Sequence, residues 1–136
     1  MFRPALPCLL AIALGGAAQL QKRFEEHAKR WMNDRDFAAW IAVRSVASAV
    51  TRLRSAEPLA IRDLALSPDL PLDGFKGYRL SYRPWDGQLR QPIELVQPRA
   101  LVSTSPQEGF LHPDSELDSL GLDAPESQCH LADAKP

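Results

Sequence analysis

The sequence predicts an α/β fold, with two to three helices first, a β-hairpin after them and an extended tail last. Three observations carry that prediction. Apolar residues recur every three or four positions between residues 19 and 66, and the period switches to two after Leu72. From Ser103 onward there is little periodicity, and Pro106, Pro113 and Pro125 stand among acidic and small residues. The chain therefore divides into an apolar N-terminal stretch at 1–18, a helical segment at 19–67, a hairpin and strand segment at 68–105 and an acidic tail at 106–136.

The first helix is expected over residues 19–31, with Leu20, Phe24, His27, Ala28 and Trp31 on one stripe and Gln21, Lys22, Glu25, Glu26, Lys29 and Arg30 opposite. Asn33 to Asp36 breaks it, and Asp34 or Asp36 can cap the next helix, because a short side-chain oxygen satisfies free backbone amides. Residues 37–53 form the best core helix, about 25 Å long at 1.5 Å per residue. Its expected buried stripe is Trp40, Val43, Val46, Ala47, Val50 and Leu53, with Arg44, Ser48, Thr51 and Arg52 opposite. Its Ala and Ser residues allow a neighbouring element to come close. Pro58 suits a first helical turn, and 59–66 makes a short helix stopped by Ser67 and Pro68.

Tyr78, Leu80 and Tyr82 then alternate with Arg79, Ser81 and Arg83, which predicts a strand with one apolar and one wet face. Pro84-Trp85-Asp86-Gly87 supplies the reversal, since proline pre-sets the turn and glycine tolerates a positive φ. Leu89, Ile93 and Leu95 mark the returning strand. Pro92 within it lacks a ladder donor and implies an edge strand or a bulge. Ala100, Leu101 and Val102 make a further short strand.

A chain of 136 residues with 45% apolar and 24% charged composition builds at most one modest core. The net charge of −1 hides an asymmetry, because residues 1–105 carry 15 Lys and Arg against 10 Asp and Glu, whereas 106–136 carry 1 against 7. No apolar run reaches the roughly 18 to 20 residues of a membrane-spanning helix. Arg3, the apolar run from Ala5 to Leu14 and the small residues Gly15, Gly16, Ala17 and Ala18 match a secretory signal peptide cut after Ala18. The competing reading is a spurious start, or a remnant of a longer chain. Cleavage would remove Cys8 and leave Cys129 alone; a Cys8–Cys129 disulfide requires a retained N-terminus.

Chemistry-bearing patterns are sparse, and no enzyme is expected. His27, His112 and His130 stand in no metal-ligand spacing, and Cys129 with His130 and His112 falls short of the four ligands of a structural zinc site. Ser103, Ser105, His112 and Asp114 lie in a proline-rich segment without a nucleophile elbow, where turn and cap roles are ordinary. Neither a catalytic residue nor a cofactor is therefore assigned. Lys22, Arg23, Lys29, Arg30 and Arg35 interleave with Glu25, Glu26, Asp34 and Asp36, the pattern of a solvated helix rather than a nucleic-acid footprint. The better patch is Arg79, Arg83 and Arg90 with Tyr82 and Trp85, since guanidinium and aromatic groups together hold anionic or aromatic small molecules. The alternative is the exposed face of a hairpin. For a bound ligand, Tyr82, Arg83 and Trp85 are the candidate residues.

An Ala-rich helix opening on Phe37, a short helix, and then Leu72, Gly74, Gly77, Leu80, Tyr82 and Gly87 in the order apolar, Gly-x-x-Gly, apolar, aromatic, Gly resemble the end of a type I periplasmic substrate-binding protein of an ABC transporter. The segments 98–103, 105–113 and 116–121 look like the branch associated with pyrroloquinoline-quinone-dependent alcohol oxidation, whose members resemble branched-chain amino-acid binding proteins. The resemblance covers residues 18–129, and Gly-x-x-Gly alone is a weak signal. It implies a partial periplasmic-binding-protein-like I fold, a periplasmic location, noncovalent capture of a small solute and an ABC permease as partner. Family members are longer, with two lobes closing on the ligand. This chain resembles only their last third, so it reads as a fragment, and the first-lobe ligand residues have no positions in it. The alternative function is a small exported interaction module that meets a partner protein or a second copy through the face of the 37–53 helix.

Overall fold

A computed structural model describes residues 18–97, 100–129 and 131. The signal-peptide reading and Cys8 fall on residues outside this set, apart from Ala18. The described elements are helices α1 (Ala18–Ala28), α2 (Asp34–Leu53) and α3 (Pro58–Ala65), then strands β1 (Leu72–Asp73), β2 (Arg79–Tyr82), β3 (Leu89–Arg90), β4 (Ile93–Gln97) and β5 (Ala100–Ser105). A short 3-10 turn at Glu116–Asp118 follows. Strands β1, β2 and β3 form one antiparallel sheet in that order, and β4 pairs with β5 in another. The mixed α/β class and its helix-first order hold. None of these described helices is long and apolar enough to cross a membrane.

The chain forms two compact units. Among the described residues, one comprises those within 18–32, 75–78 and 92–120, with α1 and the β4–β5 pair; the other comprises those within 33–74, 79–91 and 121–131. In the first unit, α1 ends earlier than its apolar period suggests. Lys29 takes a left-handed conformation (φ 55°) just past the last turn, so Trp31 lies beyond the helix and is exposed. Leu20 and Phe24 are half-buried and His27 and Ala28 exposed, whereas Gln21, expected on the wet side, is 5% exposed.

The second unit carries α2, at 20 residues the longest of the described helices, and α3. Helix α2 is capped by Asn33 rather than by Asp34 or Asp36: Asn33 Oδ1 accepts from the backbone of Arg35 (3.0 Å) and Asp36 (3.1 Å). Asp36 returns the bond by accepting from the Asn33 backbone N–H at 2.9 Å, so the predicted cap is the reciprocal half of a capping box. Replacing Asn33 by alanine should lower stability by about 1 kcal/mol, the usual worth of such a cap. A urea melt followed by helical circular dichroism checks this; an unchanged midpoint would mean that packing alone holds the helix start.

The buried face of α2 differs from the expected stripe. Ile41, Ser45 and Ala49 point inward, and Phe37 and Trp40 pack beside them, while Val43 is 71% and Val46 51% exposed. Arg44 and Ser48, expected in water, are half-buried, and the Arg44 guanidinium lies 5.3 Å from the Trp40 ring centroid. The reason is the hydroxyl of Ser45. It donates to the Ile41 carbonyl (2.7 Å) and bonds the Tyr82 hydroxyl (2.8 Å), so a polar residue is satisfied inside while its small size lets the hairpin approach. Helix α3 starts at Pro58 as expected, with Glu57 accepting from the Leu59 backbone.

The core joins Ile41 of α2 to Leu72 of β1 and Leu80 of β2, with Tyr82 and Leu89 packed against them. Leu72 and Leu80 stand opposite each other in the β1–β2 register. Gly74 is needed there, because a Cβ on it would overlap Leu80 Cδ1. Tyr78, expected to share this apolar face, precedes β2 and is exposed. The expected returning strand is two strands. Leu89 and Arg90 pair with β2, and Ile93 to Gln97 pair with β5, with Gln91 and the donorless Pro92 between them. The last strand extends to Ser105, three residues past its expected end at Val102.

Candidate functional site

The hairpin turn between β2 and β3 places the candidate residues, and backbone bonds tie it off first. Arg83 N–H donates to the Gln88 carbonyl (2.8 Å), and Gly87 N–H donates to the Arg83 carbonyl (2.9 Å). Asp86 Oδ1 accepts from the Gln88 backbone N–H at 2.8 Å, an Asx-type closure that explains why this turn wants aspartate before glycine. Gly87 has φ 72°, a conformation glycine adopts without steric cost.

Arg83, read from strand alternation as wet, is 3% exposed. Its Nη1 donates to Gln88 Oε1 at 3.0 Å and lies 3.5 Å from Asp86 Oδ2. Burial is tolerable because Nη1 meets two acceptors of the turn and the guanidinium lies near the Trp85 ring. Its carbon lies 5.5 Å from the Trp85 ring centroid, and that of Arg90 lies 5.3 Å from the same centroid. Two cations therefore meet one aromatic ring, and Asp86 is ion-paired with Arg83.

Of the three candidate ligand residues, Arg83 and Trp85 come together with Arg90, and Tyr82 is turned elsewhere. The Tyr82 ring packs on the core and its hydroxyl is held by Ser45. Arg79 does not join the cluster; its Nη2 reaches the Pro68 carbonyl at 3.4 Å. The Trp85 indole Nε1–H is shielded from solvent and meets no acceptor among the described residues. Sequence reasoning missed the tail at this site. Gly121 lies against the Arg83 guanidinium, and the Leu131 N–H donates to the Trp85 carbonyl at 2.9 Å. No local pattern announces such a return.

The weaker candidates are drawn into local structure. His112 Nδ1 accepts from the backbone of Asp114 (3.2 Å) and Ser115 (3.3 Å), and the Ser103 hydroxyl accepts from Gln107. Arg30 lies 5.0 Å from the Phe24 ring centroid and donates to the Trp31 carbonyl at 3.0 Å. Cys129 is a free, exposed thiol, and His130 falls outside the described residues. Among the described residues no three His, Cys, Asp or Glu side chains gather as a metal site. Comparison with family models, with curated proteins and with solved structures finds no match.

Proposed function

We propose that this chain takes part in noncovalent capture of a small solute, as the C-terminal part of a periplasmic substrate-binding protein that serves an ABC permease and is linked to alcohol oxidation. The observation that carries this reading is the double-sided character of α2. Its inner face packs on the hairpin, while Val43, Val46 and Leu53 are exposed on a face on the order of 130° away at 3.6 residues per turn. A helix apolar on both sides suits the interior of a larger body, where a second layer covers what the hairpin leaves open. The lobes of a solute-binding protein would supply such a layer. The order Ala-rich helix, short helix and glycine-punctuated hairpin supports the same reading.

The test is the native product. Immunoprecipitation with an antibody against the acidic tail, followed by intact-mass and native sizing, should return a polypeptide much heavier than these 136 residues, carrying a releasable small molecule. A product of this length that retains no small molecule would overturn the reading.

A second reading, assembly with another copy through the same helix face, is favoured by one further feature. Val43, Val46 and Leu53 are 71%, 51% and 36% exposed on that face, an apolar surface that α2 of a second copy would cover. Under this reading the purified chain sizes as a dimer, and a Val43→Glu/Val46→Glu variant sizes as a monomer with its circular dichroism unchanged. A monomeric parent chain rejects self-assembly.

A further inference from the structure

After β5 the chain carries an apolar pair into solvent on a turn that is held from both sides. Phe110 is 78% exposed, the most of any large apolar side chain among the described residues, and Leu111 beside it is 49% exposed. The Phe110 N–H donates to the Gln107 carbonyl at 3.1 Å, and the Gln107 side-chain amide donates to the Ser103 hydroxyl in β5. Beyond the pair, His112 Nδ1 accepts from the backbone N–H groups of Asp114 (3.2 Å) and Ser115 (3.3 Å), and the Asp118 N–H donates to the Ser115 carbonyl at 2.9 Å. Hydrogen bonds on each side fix where the tip stands, so a partner that covers it need order little backbone. Single exposed apolar residues are ordinary, but an aromatic ring left mostly in water at a fixed tip, with a leucine next to it, has the make-up of an interface anchor.

The charge around the tip says what can cover it. Glu108, Asp114 and Glu116 flank Phe110 in sequence and are exposed, and none of their carboxylates takes part in an ion pair among the described residues. No Lys or Arg stands between residues 100 and 134. Three uncompensated carboxylates would be repelled by an anionic lipid surface and by the same tip of a second copy. They fit a protein surface that offers an apolar pocket to the ring and basic residues around it. Burial in the pocket then supplies affinity, while the rim charges set the approach rate and the choice of partner.

We propose that residues 107–116 form a docking knob for a partner protein, with Phe110 and Leu111 seated in an apolar pocket whose rim carries Lys or Arg that pair with Glu108, Asp114 and Glu116. The knob shares no residue with the valine face of α2, and it goes beyond solute capture without depending on it.

The test places the photoreactive p-benzoylphenylalanine at position 110 of the full chain, produced in its own organism, and irradiates living cells. The expected product is one crosslinked protein, joined at an apolar segment flanked by Lys or Arg. With that protein purified, Phe110→Ala should weaken binding about thirtyfold, the effect of losing a hot-spot aromatic at about 1.4 kcal/mol per tenfold. Added salt should weaken the parent complex, and a Glu108→Gln/Asp114→Asn/Glu116→Gln variant should bind less tightly and lose most of that salt dependence. Because the substituted residues are exposed, both variants should keep the parent's circular dichroism and melting temperature. Crosslinks only to lipid, to another copy of this chain, to a protein site without basic residues or to nothing would overturn the proposal. So would a captured protein whose affinity is unmoved by Phe110→Ala or by salt. None of these outcomes bears on solute capture, which the mass and cargo of the native product decide.

Discussion

Replacing Leu80 by alanine is expected to lower the stability of the unit built on α2 and the hairpin by about 2–5 kcal/mol, the range for deleting a fully buried leucine side chain. Leu80 is 0% exposed, stands opposite Leu72 across the β1–β2 pair, and packs with Ile41 of the helix. Its neighbours have little means of closing the resulting hole. Gly74 has no side chain to move into it, and Ser45 is held by its bonds to Ile41 and Tyr82. A cavity therefore remains, and the loss belongs in the upper half of the range. The measurement is urea unfolding followed by the fluorescence of Trp40, which packs on this cluster, in parent and variant. A midpoint shift worth less than about 1 kcal/mol would place Leu80 with the surface substitutions and contradict the core as described.

Arg83→Ala is expected to cost about 3 kcal/mol, the lower end for removing one partner of a buried ion pair. The low end applies because the Asp86 side chain retains 20% exposure and can recover some hydration, while the Arg83 side chain has only 4%. Truncation also leaves Gln88 Oε1 without its donor and removes the surface on which Gly121 rests. Arg83→Lys should recover little, since a compact, strongly hydrated ammonium on a flexible stem is costlier to bury and lacks the weakly hydrated guanidinium surface beside Trp85. Urea melts at low and high salt decide the matter. A buried pair should respond weakly to salt, whereas a strongly salt-dependent loss of under about 1 kcal/mol would mark Arg83 as an ordinary surface cation.

The candidate site was legible in part. Arginine and aromatic residue types around a Pro-Trp-Asp-Gly turn pointed to the Arg83, Trp85 and Arg90 cluster, because the turn's own chemistry brings Arg83, Trp85 and Asp86 together within a few residues. Tyr82 could not be sorted from them by alternation. Its hydroxyl partner, Ser45, lies in a helix far away in sequence. Strand alternation misplaced Arg83 for a related reason: a period of two says which side a residue takes, and the tail that lies on that side is invisible to it. The cap of α2 is Asn33, one residue before Asp34 and three before Asp36, since Asn and Asp cap comparably well and only backbone geometry chooses among them.

What the sequence by itself determined is local. Helix α3 begins at Pro58, the Asp86–Gly87 turn closes β2 onto β3, and Pro92 ends the pairing of β3, because each depends on the conformational limits or short-range bonds of one or two residues. Tertiary structure decided the faces. Helix α2 offers a valine side and an Ala/Ser side, and transfer energy alone favours burying the valines. The hairpin docks on the other side, because Ser45 and Ala49 admit close approach and the Ser45–Tyr82 bond satisfies the hydroxyls enclosed there. Shape and polar satisfaction between residues distant in the chain outweighed hydrophobicity along it, and a pattern of periods carries no information about either.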